Sequence, residues 1–305
     1  MAANVLHPGL ERMGCQVAER QGPTLRSQWL GQQLRDLREA ASLHLKDAGD
    51  YLQRDASTVS RFETGIYPAR MPDVLALLDL YGVSDERRRE GLLKLSRDAW
   101  QAGWWDGYAS ELAGGVIDYA WLESRAHEIR SFDAMSVPGV MQTPDYARAI
   151  ITAADPDADA DQIERWIEFR LARQQALEAE EGLRAQAVLD ESVLHRVTGG
   201  RTVMRAQLNG LAELASRPNI DLRVLPFRSG AHASPEGLFW IFSMPDPYPD
   251  IGCVDSAAGV IYVEADRAKR LMLKFERIQA AALGSVESVE LISAVAETML
   301  GTEEA

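Results

Sequence analysis

The chain has 305 residues, with 32 Lys+Arg against 46 Asp+Glu and a formal net charge of −14. A hydrophobic share of 46% and a charged share of 26% permit a sizeable core and exclude whole-chain disorder. No apolar run approaches the roughly 18 residues of a membrane span, and residues 1–20 lack the apolar stretch of a signal peptide.

The length fits two domains better than one. Cys15 and Cys253 are too few for a disulfide framework, and no CxxC or HxxxH pair offers a zinc site. The expected setting is a reducing cytoplasm, with no cofactor, metal or membrane partner. Charge is unevenly placed. Residues 1–100 hold 14 Lys+Arg and 14 Asp+Glu, and residues 101–305 hold 18 and 32, so the whole acidic excess follows residue 100. Such asymmetry points to two jobs. The expected organisation is a flexible leader (1–24), a helical domain (25–98), an aromatic-marked linker (99–116) and an acidic domain (117–305).

Helical spacing begins at Ser27. Leu30, Leu34, Leu37 and Ala41 fall on one face, and Leu45, Ala48 and Leu52 line a second short helix. Gln53 and Arg54 form the turn. Asp55 is the predicted N-cap of a third helix, its carboxylate accepting from the Thr58 backbone. Val59 and Phe62 face inward there, Gly65 ends the helix, and Ile66 is a further core candidate. Pro72 opens a fourth helix carrying Val74, Leu77, Leu78 and Tyr81, which Gly82 stops. Ser84 is the predicted cap of a fifth, charged helix reaching about Arg97.

Two short helices, a tight turn and a polar third helix make a helix-turn-helix. Residues 43–52, the run Ser57-Thr58-Val59-Ser60-Arg61-Phe62-Glu63-Thr64-Gly65 and the preceding Leu34-Arg35-Asp36-Leu37-Arg38 resemble the phage-repressor (XRE/Cro-type) family over residues 27–83. The resemblance implies a third helix in the DNA major groove, with Ala56, Ser57 and Arg61 at base-reading positions. Arg61 has the chemistry to make a bidentate contact with guanine, and Ala56 can touch a thymine methyl. Thr58, Ser60 and Arg70 suit phosphate oxygens, which position rather than specify. The competing reading of Arg61 is an ordinary solvated arginine. The resemblance also implies a structural ion pair between Arg38 and Glu63. Gly49 departs from the family's usual Ala, which predicts a slightly weaker second helix. Arg87, Arg88 and Arg89 read as a solvated face, and Arg12, Arg20 and Arg26 as part of a disordered tail.

In the acidic part, Leu122, Ala126 and Ile129 keep helical spacing, so residues 117–146 read as helix, turn and helix, broken at Val137-Pro138-Gly139. A long charged helix follows over 160–180. Alternation of Leu183, Ala185, Ala187 and Leu189 then predicts a strand. A short helix is expected at 191–198 and a longer one at 202–217, strands at 220–226, 238–244, 251–254 and 260–263, and closing helices at 265–283 and 285–300. Strands mixed with helices, without regular βαβ spacing, indicate α+β. The predicted fold class is a mainly α helix-turn-helix domain followed by an α+β domain.

Several separated motifs carry a second resemblance. They are residues 137–148, Arg170-Leu171-Ala172-Arg173-Gln174-Gln175, Val188-Leu189-Asp190-Glu191-Ser192-Val193-Leu194, Pro218-Asn219-Ile220, Val224-Leu225-Pro226-Phe227 and Gly230-Ala231-His232. They resemble the C-terminal domain of Scr1-type, toxin–antitoxin-like transcriptional regulators of sporulating filamentous bacteria. Cys253-Val254-Asp255 departs from the Tyr-Val-Glu usual there. The resemblance implies a transcription regulator with a small partner protein encoded nearby.

Candidate ligand or partner residues are Arg170 and Arg173, as a carboxylate clamp, with Tyr146 and His232. Each has a plainer reading: a surface ion-pair network with Asp190 or Glu191, a core tyrosine, and a strand connection. Glu191 and His195 make a common helix pair, and neither GxSxG nor GxxxxGK[ST] occurs, so no catalytic residues and no enzyme are expected. Three functions remain. The first is a homodimeric regulator on a pseudo-palindromic double-stranded operator, with half-sites about 34–36 Å apart. The second is an antitoxin-like protein that sequesters a small partner and regulates itself. The third is a small-molecule-sensing repressor.

Overall fold

The computed structural model describes residues 23–108, 112, 114–178, 183–256 and 259–299. Most of the expected leader, residues 1–22, lies outside them. Thr24 already belongs to the fold: it is the N-cap of α1 (Leu25–Ala40), its side chain accepting from the Ser27 N–H. The helix-turn-helix follows as α2 (Leu45–Leu52) and α3 (Ala56–Glu63), then α4 (Met71–Leu80) and α5 (Glu86–Trp100). Leu30, Leu34, Val59, Phe62, Val74, Leu77 and Leu78 are at most 1% exposed and form the centre of this helical core.

Three local expectations are corrected. Asp55 caps α3 through its main-chain carbonyl, which accepts from Thr58 N–H at 2.9 Å, and makes no side-chain cap bond. Asp85 rather than Ser84 caps α5, its side chain accepting from Arg87 and Arg88 N–H. Ile66 is 65% exposed, because Gly65 at φ +73° turns the chain away from the core.

The second region is built on a six-stranded mixed sheet in the order β3-β2-β1-β4-β5-β6. Its strands are β1 (Glu128–Asp133), β2 (Arg184–Asp190), β3 (Ile220–Leu225), β4 (Phe239–Ser243), β5 (Ile251–Ser256) and β6 (Gly259–Val263). β1, β2 and β3 run parallel, and β4, β5 and β6 are antiparallel. Helix α6 (Gly114–Arg125) precedes β1. Helices α7 (Pro144–Ala154) and α8 (Ala160–Glu178) cross from β1 to β2, and α9 (Glu191–His195) with α10 (Arg201–Leu214) from β2 to β3. Helices α11 (Ala265–Ala281) and α12 (Ser285–Thr298) close the described chain. The two-part fold class is as expected, but β1 stands where the helical spacing predicts helix. It is the central strand, paired with β2 on one side and β4 on the other.

Side-chain alternation gives the sheet two covered faces. Phe132, Val188, Phe239 and Ile241 point to one, under Phe275 and Ile278 of α11. Ile129, Ala185, Ala187 and Phe242 point to the other, which shares one continuous core with the helical domain.

That shared core has a specific join. The Trp29 ring of α1 meets Trp121 edge-on at 5.7 Å and Tyr248 at 5.7 Å. Leu25 N–H donates to the Asp118 carboxylate at 3.0 Å. Arg26, expected in the tail, is 0% exposed. Its guanidinium lies over the Trp105 and Trp121 rings and donates to the Asp98 and Gln101 carbonyls. The predicted linker contributes a short 3₁₀ turn, Trp104–Tyr108, with Trp105 buried.

Candidate nucleic-acid interface and a cavity under the sheet

Helix α3 presents two unlike faces. Val59, Phe62 and Glu63 are buried against α1 and α2, and Ser57 and Arg61, one turn apart, are exposed. Ala56, Thr58 and Ser60 are half-buried at its flanks. The Arg61 guanidinium has no hydrogen bond or ion pair among the described residues, whereas the nearby Arg54 is held by Asp73 at 2.9 Å. Arg70 also has no carboxylate partner among the described residues, and its guanidinium carbon lies 4.5 Å from the centre of the Trp100 ring. An exposed guanidinium with unspent donors is what base or phosphate recognition needs.

The inner face is fixed by close contacts. Arg38 Nε and Nη2 donate to the two Glu63 carboxylate oxygens at 2.6 and 2.8 Å, and Nη1 donates to the Leu43 carbonyl at 2.8 Å. Both residues are under 10% exposed, so this bidentate pair locks α1 to α3. Gly31 permits the same approach: a Cβ there would lie 2.4 Å from the Phe62 carbonyl oxygen. Gly49 is explained the same way, since a Cβ would lie 2.8 Å from the Arg54 carbonyl oxygen. Arg87 pairs with Asp246 across exposed surface, as a solvated face would, and the more covered Arg89 pairs with Asp79 at 2.8 Å.

A second arrangement lies beneath α8. A cavity of about 280 Å³ is walled by the sheet face, α6, α8 and the turn over residues 136–142. Arg173 of α8 makes a bidentate pair with Glu123 of α6 at 2.8 and 2.6 Å. Burial alone would lower the Arg173 pKa, and Glu123 more than offsets it, so the net shift is upward. Among the described residues Arg170, one turn earlier, donates only to the Gln142 amide oxygen at 2.8 Å. Burial, helped by Arg173, pulls the Arg170 guanidinium down to about 10. Asp133, the last residue of β1, is 2% exposed, and its Oδ2 has no hydrogen-bond partner among the described residues. Burial pushes its carboxyl up to about 7, with the Ser131 hydroxyl pulling weakly the other way.

A helix-turn-helix domain profile matches residues 29–91, and a profile described as a domain of unknown function (DUF5753) matches residues 116–294, more than half of the chain. The chain belongs to the DUF5753 family. No curated protein and no solved structure matches it. The helix-turn-helix domain makes it a DNA-binding regulator of transcription. Among the described residues, no single helix is long and apolar enough to cross a membrane.

The DUF5753 region separates the four ligand candidates. Arg170 and Arg173 share the cavity, but neither reaches Asp190 or Glu191. Asp190 instead caps α9 by accepting from Ser192 N–H at 2.9 Å, and Glu191 accepts from Phe227 N–H at 2.6 Å. Arg173 is already engaged by Glu123, so of the predicted clamp only Arg170 is left without a counter-charge. Tyr146 is 1% exposed, and its hydroxyl accepts from Val137 N–H at 3.2 Å. It is a core residue that props the 136–142 turn. His232 packs edge-on against Phe132 at 5.1 Å, on the opposite face of the sheet. Its Nδ1 accepts from Ser234 N–H at 3.3 Å within its own loop. The sequence reading missed Ser131, Asp133, Glu123 and Gln142. For Ser131 and Asp133 the signal is two polar residues on the inward face of a strand, hidden where helical spacing runs on into β1; Glu123 on α6 and Gln142 in the turn carry no such signal.

Proposed function

We propose that this chain is a sequence-specific transcription regulator that binds a pseudo-palindromic operator as a homodimer, with α3 in the major groove. The observation that carries this reading is the outward pair Ser57 and Arg61 on a helix whose inner face is immobilised by Arg38–Glu63. Arg61 reads guanine, Ala56 and Ser57 adjoin the same base edges, and Thr58, Ser60 and Arg70 contact phosphate. A single eight-residue helix spans one half-site, which is why a dimer is proposed. The C-terminal region docks on α1 and α5 rather than on α3, so it supports the reader without covering it.

The finer identity we propose is a cytoplasmic, Scr1-type, antitoxin-like regulator whose DUF5753 region receives a signal from a small partner protein or ligand. The test is a gel shift on the promoter region of its own gene. Wild type is expected to form a discrete complex there, and Arg61→Ala to lose the preference over unrelated DNA. Equal specific binding by both proteins refutes the assignment of α3. Co-purification of the full chain with the product of an adjacent small gene tests the partner. If that product binds but leaves operator affinity unchanged, sequestration replaces regulation as the partner's role.

A further inference from the structure

The cavity holds two ionisable groups that the fold leaves without a counter-charge. Asp133 is buried with Oδ2 unpartnered, and Arg170 has one bond, to a neutral amide. The two are not in ion-pair contact with each other, and Arg173 between the helices is already taken by Glu123. A buried carboxylate oxygen with no donor is costly, and native folds rarely keep one without a use. Much of the remaining wall is apolar or aromatic, including Tyr119, Val140, Trp240 and Phe242. At about 280 Å³ the space sits at the lower edge of small-molecule pockets, roughly 300–1,000 Å³, and suits one metabolite rather than a peptide.

We propose that this cavity binds a small zwitterion of the amino-acid class, with its acid group on Arg170, its ammonium on Asp133 and its apolar body against Tyr119 and Trp240. An acid alone would leave Asp133 unanswered, and an amine alone would leave Arg170 so. The proposal rests on the reading of the DUF5753 region as the receiver of a signal, and it gives that signal a chemical class.

Helix α6 connects the cavity to the DNA-reading helices. Val116, Tyr119 and Glu123, spaced three and four residues apart, line the cavity. Asp118, Trp121 and Arg125, spaced the same way, face the helix-turn-helix domain. Asp118 accepts from Leu25 N–H, Trp121 meets Trp29, and Arg125 lies 3.6 Å from the Asp98 carboxylate. A ligand that moves the cavity face of α6 therefore moves the seat of α1 as well.

The test uses the full chain and thermal shift with free L-amino acids, one at a time. Each is paired with the acid lacking its amine and the amine lacking its acid. At least one amino acid is expected to raise Tm by several degrees when well above its Kd, and neither of its analogues to match it. Asp133→Asn and Arg170→Gln are each expected to weaken that binding tenfold or more. Asp133→Asn removes a buried, unpartnered carboxylate and should fold at least as well as wild type, so loss of the shift in that variant is not loss of folding. No shift with any amino acid, a shift that survives both substitutions, or equal binding of the amine-free acid overturns the proposal. Operator affinity with and without the binding amino acid separates the two readings. A Tm shift with unchanged affinity keeps the site and refutes the receiver role. No Tm shift with intact operator binding refutes the site and leaves the receiver role to a protein partner.

Discussion

Arg61 and Arg170 are the same side chain in two solvents. On α3, Arg61 stands in water with no carboxylate, and under α8, Arg170 stands in a cavity with no carboxylate. A hydrated guanidinium costs the fold almost nothing, so α3 can hold its reader ready while its inner face supplies the stability. In the cavity the group has lost part of its hydration, which is why its pKa is pulled down to about 10. The difference teaches where recognition and stability separate. On α3 they occupy opposite faces of one helix. In the cavity they share the same residues, so a change there must alter both.

The sharpest way to break this comparison is a third arginine, buried and paired. Arg38→Met leaves the Glu63 carboxylate buried without its partner. Urea unfolding should show a loss of about 3–5 kcal/mol, with operator preference abolished only through unfolding. A loss near that of an exposed pair would mean that Glu63 rehydrates and that α3 is not locked from within.

The cavity makes an opposite prediction for pH. Asp133 has its carboxyl raised from 3.8 to about 7, so the native state binds a proton that the unfolded chain has released. Its contribution to stability is full below about pH 4 and is lost as pH rises towards 7, at roughly 1.4 kcal/mol per pH unit. Asp133→Asn should flatten that decline and melt higher than wild type at neutral pH. Parallel pH profiles for the two proteins would show that water reaches Asp133 freely.

These two residues also mark what the sequence could reveal. Arg38 and Glu63 were legible because helical spacing, caps and turn glycines in residues 27–83 all agree, and the family motif fixes both positions. Asp133 was not legible. Leu122, Ala126 and Ile129 happen to keep helical spacing across the end of α6 and the start of β1. The strand hides its own period, because Ser131 and Asp133 put polar groups where alternation would place apolar ones. Losing β1 also conceals the first parallel crossover, since α7 and α8 run from β1 to β2. Arg26 failed for a related reason: an arginine beside a polar leader gives no sign that two tryptophans will cover it.

A smaller effect tests the inner face by volume alone. Gly31→Ala gains up to about 1 kcal/mol of helix propensity. The new Cβ would lie 2.4 Å from the Phe62 carbonyl oxygen, so a net loss of about 1–3 kcal/mol is expected in thermal unfolding. A stabilised variant would show that α1 and α3 can part without consequence.

The smallest expected effect concerns charge. The net −14 lies beyond residue 100, and the reader presents few uncompensated cations. Operator affinity should therefore fall gently with salt, as for a small number of phosphate contacts. A steep slope would place a cationic surface elsewhere on the molecule.

The most direct test of the central claim is fluorescence anisotropy of wild type and Arg61→Ala on the chain's own promoter region and on unrelated DNA, at one salt concentration. Removal of a bidentate guanine contact should weaken specific binding by about 1–3 kcal/mol, roughly 5- to 150-fold. Weak binding to unrelated DNA, and Tm, should stay unchanged. Specific affinity that survives the substitution, or a loss equal on both DNAs, would contradict the assignment of α3 as the helix that reads sequence.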